Sequence, residues 1–210
     1  MSKRQKFIFT SALLSLGMFF IQEINISYRY WTIALMTGVT LTMSLWSLKE
    51  ALAGIGWLMS AILPTFFTIG VGLFYFLLPQ NLFSRLPITV LYALGIYALL
   101  LTENIFLVAT IRTIQLFRAA QAVGFILTLF TLFLIFDTIF SLQLNFGLNF
   151  LLVFVSSFPL FLQGLWSINL ENKLTRKIIV YTFILALVAA EITLVLSYWP
   201  LTITIRSVAI

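Results

Sequence analysis

The sequence predicts an all-α fold: a polytopic helical membrane bundle of seven transmembrane helices, N-terminus cytoplasmic, closed by a short apolar C-terminal tail. Three observations carry that expectation. First, 62% of the 210 residues are hydrophobic and 9% are charged, whereas a soluble domain is roughly half apolar and about a quarter charged. A water-soluble fold of this size has no means of covering so much apolar surface. Second, the apolar residues come in runs of about twenty, the length at which a helix crosses a hydrocarbon core. They lack the strict alternation of a barrel strand, and lipid admits only helices or closed barrels because each backbone group must be paired. Third, the basic residues alternate between connections. Nine of them (Lys3, Arg4, Lys6, Lys49, Arg112, Arg118, Lys173, Arg176, Lys177) fall in the head and in the second, fourth and sixth connections. Three (Arg29, Arg85, Arg206) fall elsewhere. Positive residues collect on the cytoplasmic side, which orients the chain.

The elements follow in order. The head before span 7–24 has the basic start of a secretory signal, but no small-residue cleavage site closes the run, so it reads as an uncleaved first span. Span 31–48 ends at Lys49 and a tight connection. Span 57–78 is stopped by Pro79 and Asn81. Span 87–107 opens on Pro87, which is harmless in a first turn because its missing N–H has no partner there anyway. Spans 120–141 and 148–168 flank a short turn, and a polar loop precedes span 178–198. The tail 199–210 is apolar but only half a span long. It reads as the opening of an eighth span in a longer chain, or as a short re-entrant or interfacial piece. All five tryptophans (Trp31, Trp46, Trp57, Trp166, Trp199) fall at span ends, where an amphipathic ring prefers to sit. Neither an internal repeat nor a separate soluble domain is evident, so one membrane domain accounts for 1–210.

At about 100° per residue, polar and small residues gather on one stripe in several spans. Examples are Ser11 and Ser15; Thr37, Thr40, Ser44 and Ser47; Ala61, Thr65, Thr68 and Gly72 beside Pro64; Gln121, Gly124, Thr128, Thr131 and Thr138; and Thr182, Ala186, Ala189 and Thr193. On the sixth span Asn149, Ser156, Gln163 and Ser167 share a face about 80° wide, and Pro159 interrupts the backbone ladder between them. That face has two readings: helix-to-helix glue, or the wall of a polar path.

Three acids fall within apolar spans, where a charge is costly and calls for a reason. Glu103 lies near the cytoplasmic end of the fourth span, with Arg112 and Arg118 following. An ion pair with either arginine would pin the hairpin of spans four and five. Alternatively the arginines hold an anion or lipid headgroup. Asp137 and Glu191 lie in the outer third of their spans, about 140° and 160° from their own small-residue stripes. They either meet inside the bundle or face outward, and Arg206 is the nearest cation to them.

With neither cysteine nor histidine, there is no disulfide, thiolate nucleophile, Ser–His pair or HExxH metal site. A single aspartate excludes a two-aspartate protease. No cofactor, metal ligand or catalytic residue is expected. The net charge of +6 borders apolar spans, which points to lipid headgroups rather than nucleic acid. The expected location is the plasma or inner membrane. The leading functional expectation is a non-enzymatic accessory or scaffold subunit working through helix contacts, with a membrane-protein partner or a second copy. The first alternative is a small proton- or cation-coupled transporter using the sixth-span stripe with Asp137 and Glu191. The second is a lipid-headgroup-binding or lipid-handling protein.

Overall fold

A computed structural model describes residues 2–24, 28–49, 55–79, 81–110, 115–170, 174–198 and 203–210, with backbone alone at 22, 204 and 206. Those residues form α1 (Lys3–Phe20), a 3-10 turn (Ile21–Glu23), α2 (Arg29–Leu48), α3 (Gly56–Tyr75), α4 (Leu82–Ala109), α5 (Phe117–Ser141), α6 (Phe146–Asn169), α7 (Arg176–Ser197) and α8 (Ile203–Ala209). Helices α2 to α7, six in number, are long and apolar enough to cross a membrane, which marks the chain as a membrane protein. Helix α1 carries Lys3, Arg4 and Lys6 and is not among the six. Its Phe7, Leu14 and Met18 are nevertheless buried in the bundle.

Local chemistry sets several helix starts. Ser2 and Gln5 form a reciprocal capping box on α1. Asn81 accepts from the Ser84 amide at the start of α4, and Asn145 from Leu148 at the start of α6. The Asn81 cap corrects the expectation for span four. The helix begins at Leu82, so Pro87 falls inside it rather than in the first turn.

Helix ends meet in a way that makes neighbours antiparallel. Lys6 of α1 lies 5.9 Å from the Trp46 ring near the end of α2. At the opposite end Arg85 of α4 pairs with Glu23 just after α1, and Arg29 of α2 covers the Phe76 ring just after α3 at 5.2 Å. Phe106 of α4 meets Phe117 of α5, and Phe146 of α6 meets Tyr198 beyond α7.

Helix α3 touches α2, α4, α5 and α6. Its small ridge explains why: Ala61, Thr65, Thr68 and Gly72 are all buried, and short side chains let helices approach closely. Most buried hydroxyls in the stripes bond to their own helix, as Thr40 does to the Met36 carbonyl and Thr193 to Ala189. One node crosses helices. The Thr68 hydroxyl of α3 lies 3.1 Å from Thr40 of α2 and 2.9 Å from the Tyr92 hydroxyl of α4. Phe67 stacks on Tyr92, with centroids 5.8 Å apart and planes 3° from parallel.

The tail forms the seven-residue α8, which packs on α5 and α7.

Candidate functional site: a buried amide–carboxyl pair beside an apolar cavity

Glu103 of α4 is fully buried. Its partner comes from α6: Gln163 Nε2 donates to Glu103 Oε1 at 2.7 Å. The second oxygen, Oε2, is buried with no hydrogen-bond partner among the described residues. A carboxyl so placed, with one neutral donor, is an expensive arrangement in a membrane interior and marks a candidate functional site. Of the two arginines expected to pair with Glu103, only one is among the described residues. Arg118 is exposed in the first turn of α5, and Arg112 lies outside the described residues. The side chain that reaches Glu103 is an amide sixty positions away in sequence.

Gln163 also lines a cavity of about 530 Å³ formed by α5 and α6, with Phe106 of α4 and Leu185 of α7 completing the wall. That volume lies within the roughly 300–1,000 Å³ of small-molecule sites. Two glycines help create the space. A Cβ on Gly164 would meet nothing within 4 Å, and one on Gly124 would lie 3.2 Å from the Phe106 ring. The mouth is apolar: Phe125, Leu129, Ile168 and Leu185 line the cavity and are between 43% and 64% exposed. The cavity therefore opens sideways onto the surface that a bilayer would cover.

Polar groups in the wall are few, and each already donates one hydrogen bond. Gln121 Nε2 donates to the Ser167 carbonyl at 3.2 Å. The Thr128 hydroxyl donates to Gly124, and that of Ser167 to Gly164.

The structure divides the expected polar path. Gln163 and Ser167 line the cavity just described. Asn149 lines a second one, about 320 Å³, with Gln143, Ser197 and Ile203 near the other end of α6. Its Nδ2 donates to the Leu144 carbonyl at 3.3 Å, and its Oδ1 is buried without a partner among the described residues. Ser156 is half-buried, bonds to carbonyls of its own helix and lines neither cavity. Between the two cavities Val153 and Ser157 are fully buried. The buried row of α6 runs through Ser157 rather than Ser156, so the continuous stripe becomes two cavities with a packed middle.

Asp137 and Glu191 are not brought together. Asp137 is buried, and the Ser207 hydroxyl of α8 lies 3.4 Å from its Oδ1. Glu191 is exposed on α7 with no partner among the described residues. The Arg206 side chain lies outside the described set. Among the described residues no three His, Cys, Asp or Glu gather as metal ligands.

Sequence reasoning missed Tyr92 and Gly164. Each had a faint signal: a hydroxyl-bearing ring inside an apolar span, and a glycine inside a long apolar helix. No known protein family, curated protein or solved structure matches this chain.

Proposed function

We propose that this chain is a seven-span protein of the plasma or inner membrane, N-terminus cytoplasmic, that handles lipid without covalent chemistry. It holds a molecule with an apolar chain in the lateral cavity between α5 and α6. The cavity is the single observation that carries the reading. It is mostly apolar, opens where acyl chains would lie, and has Gln163 in its wall with Glu103 buried behind it. The seventh span is α1, supported by its burial against the bundle and by the basic head, which would reach the headgroups.

The test is lipid occupancy. Purified wild-type protein should carry lipid that survives detergent washing, read by native mass spectrometry. Gly164→Phe fills the cavity from a position whose Cβ meets no neighbour, so it should lose that lipid while thermal stability is retained. Equal occupancy in both proteins, or none in the wild type, would sink the reading.

A second reading, the accessory or scaffold subunit, draws on Glu191. A carboxyl on an outward face of an apolar helix, with no partner among the described residues, is costly against lipid, and a donor from another membrane protein or a second copy would relieve it. Glu191→Leu should then weaken that association in crosslinking, leaving lipid occupancy unchanged. The coupled-carrier reading has the least support, because Asp137 meets α8, Glu191 faces outward and the α6 middle is packed.

A further inference from the structure

The hydrogen bonds around the α5–α6 cavity carry information about what it would accept. Gln163 has one amide nitrogen and one carbonyl oxygen. Its nitrogen gives one of its two N–H groups to Glu103 Oε1, which turns the nitrogen end toward α4, and no hydrogen bond reaches its oxygen from the described residues. Gln121 repeats the arrangement: its nitrogen is given to the Ser167 carbonyl, and its oxygen is left over. The Thr128 and Ser167 hydroxyls have each donated their one proton to a backbone carbonyl, which leaves lone pairs alone. The lining thus offers acceptors from four side chains on two helices, against one remaining N–H on each of the two amides. Among the described lining residues none is Lys or Arg, and the nearest ionisable group behind Gln163 is an acid.

Resting on the lipid-handling reading above, we infer that the α5–α6 cavity selects a neutral long-chain molecule whose head donates hydrogen bonds, a long-chain alcohol in the simplest case, over one whose head only accepts. A phosphate or carboxylate would bring its acceptors to a wall richer in acceptors than donors, with no cation among the described lining residues to meet it. A hydroxyl would place its proton on the Gln163 oxygen while its chain leaves through the mouth beside Phe125 and Leu129. In this arrangement Glu103 is a positioning residue. It holds the Gln163 amide so that oxygen rather than nitrogen faces the ligand.

The experiment uses the full chain in phosphatidylcholine nanodiscs and three photoactivatable probes of equal chain length: an alcohol, a carboxylic acid and an amine. The alcohol should label peptides spanning 121–132 and 160–168 about tenfold more than the acid, the ratio expected for one well-placed hydrogen bond. Gln163→Leu should remove that preference. Glu103→Gln should keep it, because its side-chain oxygen still accepts from Gln163, while Glu103→Leu frees the amide to turn and should erase it. The pair Glu103→Leu with Gln163→Leu removes donor and acceptor together and keeps the test readable where a single change reduces folding. Labelling by the acid or the amine equal to that by the alcohol overturns the inference and leaves a lipid in the cavity. The same holds for a preference that survives Gln163→Leu. Absence of labelling by all three, or labelling unaffected by Gly164→Phe, overturns the inference together with the lipid-handling reading.

Discussion

Tyr92 places its hydroxyl where three helices meet, 2.9 Å from Thr68, which in turn lies 3.1 Å from Thr40. A membrane hydrogen bond of this kind contributes about 0.6–1.7 kcal/mol. Tyr92→Phe should therefore lower stability by about 1 kcal/mol in thermal or denaturant unfolding in detergent, with the fold kept. Close packing beside that node sets a sharper requirement. A Cβ on Gly95 would lie 2.4 Å from the Phe67 ring, and that ring is stacked on Tyr92. Gly95→Ala should cost about 1–3 kcal/mol through overpacking. Gly38→Ala, whose Cβ meets nothing within 4 Å, should be neutral or stabilising in the same assay. At the Glu103–Gln163 pair, loss of one partner leaves a buried polar group alone and costs more than loss of both. Gln163→Leu should thus be less stable than the Glu103→Leu, Gln163→Leu double variant. An equal or reversed order would mean the pair contributes no mutual satisfaction.

At the scale of elements, α8 behaves as a cover on α5. Its Ser207 reaches Asp137, and Ile203 and Ile210 pack against the cluster that includes Phe136, Ile139 and Phe140. Removing 203–210 should open this corner. Because the chain has no cysteine, Phe140→Cys is a clean reporter. Its alkylation should be roughly tenfold faster in the shortened chain, equivalent to about 1.4 kcal/mol of lost local protection. An unchanged rate would mean that α8 rests on α5 without covering it. Helix α6 shows how one residue's offset redirects an element. Its buried row is Asn149, Val153, Ser157, Leu160, Gln163 and Trp166, and Ser156 falls beside that row. A stripe about 80° wide is too broad to tell a buried row from its edge, so the path expected along α6 resolves into two cavities.

For the whole molecule, alternation of basic residues and antiparallel neighbours agree on a bundle in which each connection lies opposite the next. The proposed orientation makes a direct prediction. Ser2→Cys should react with a membrane-impermeant maleimide only after permeabilisation, and Tyr198→Cys in intact cells. The reverse pattern would invert the topology, and accessibility of both from outside would remove α1 from the spans. Helix existence was legible along the chain because a run of about twenty apolar residues in lipid has few alternatives to an internally bonded helix. The buried stripes were legible for the same local reason: Thr40, Thr68, Thr128 and Thr193 share a period with their neighbours, and a period is a property of sequence. Helix starts were less so. The Asn81 side chain captured the Ser84 amide and drew Pro87 inside α4, a competition between a cap and a proline that composition does not decide.

Residue order alone determined the all-helical class, the long apolar runs, the small-residue faces and the absence of histidine and cysteine chemistry, since each depends on composition or on spacing within one segment. Tertiary structure alone decided that Glu103 meets Gln163, that Asp137 meets α8 while Glu191 faces outward, and that Gly164 borders open space. Each of these turns on the distance between helices far apart in the chain. A cavity, in particular, is a place where several helices fail to touch, and no single segment records it.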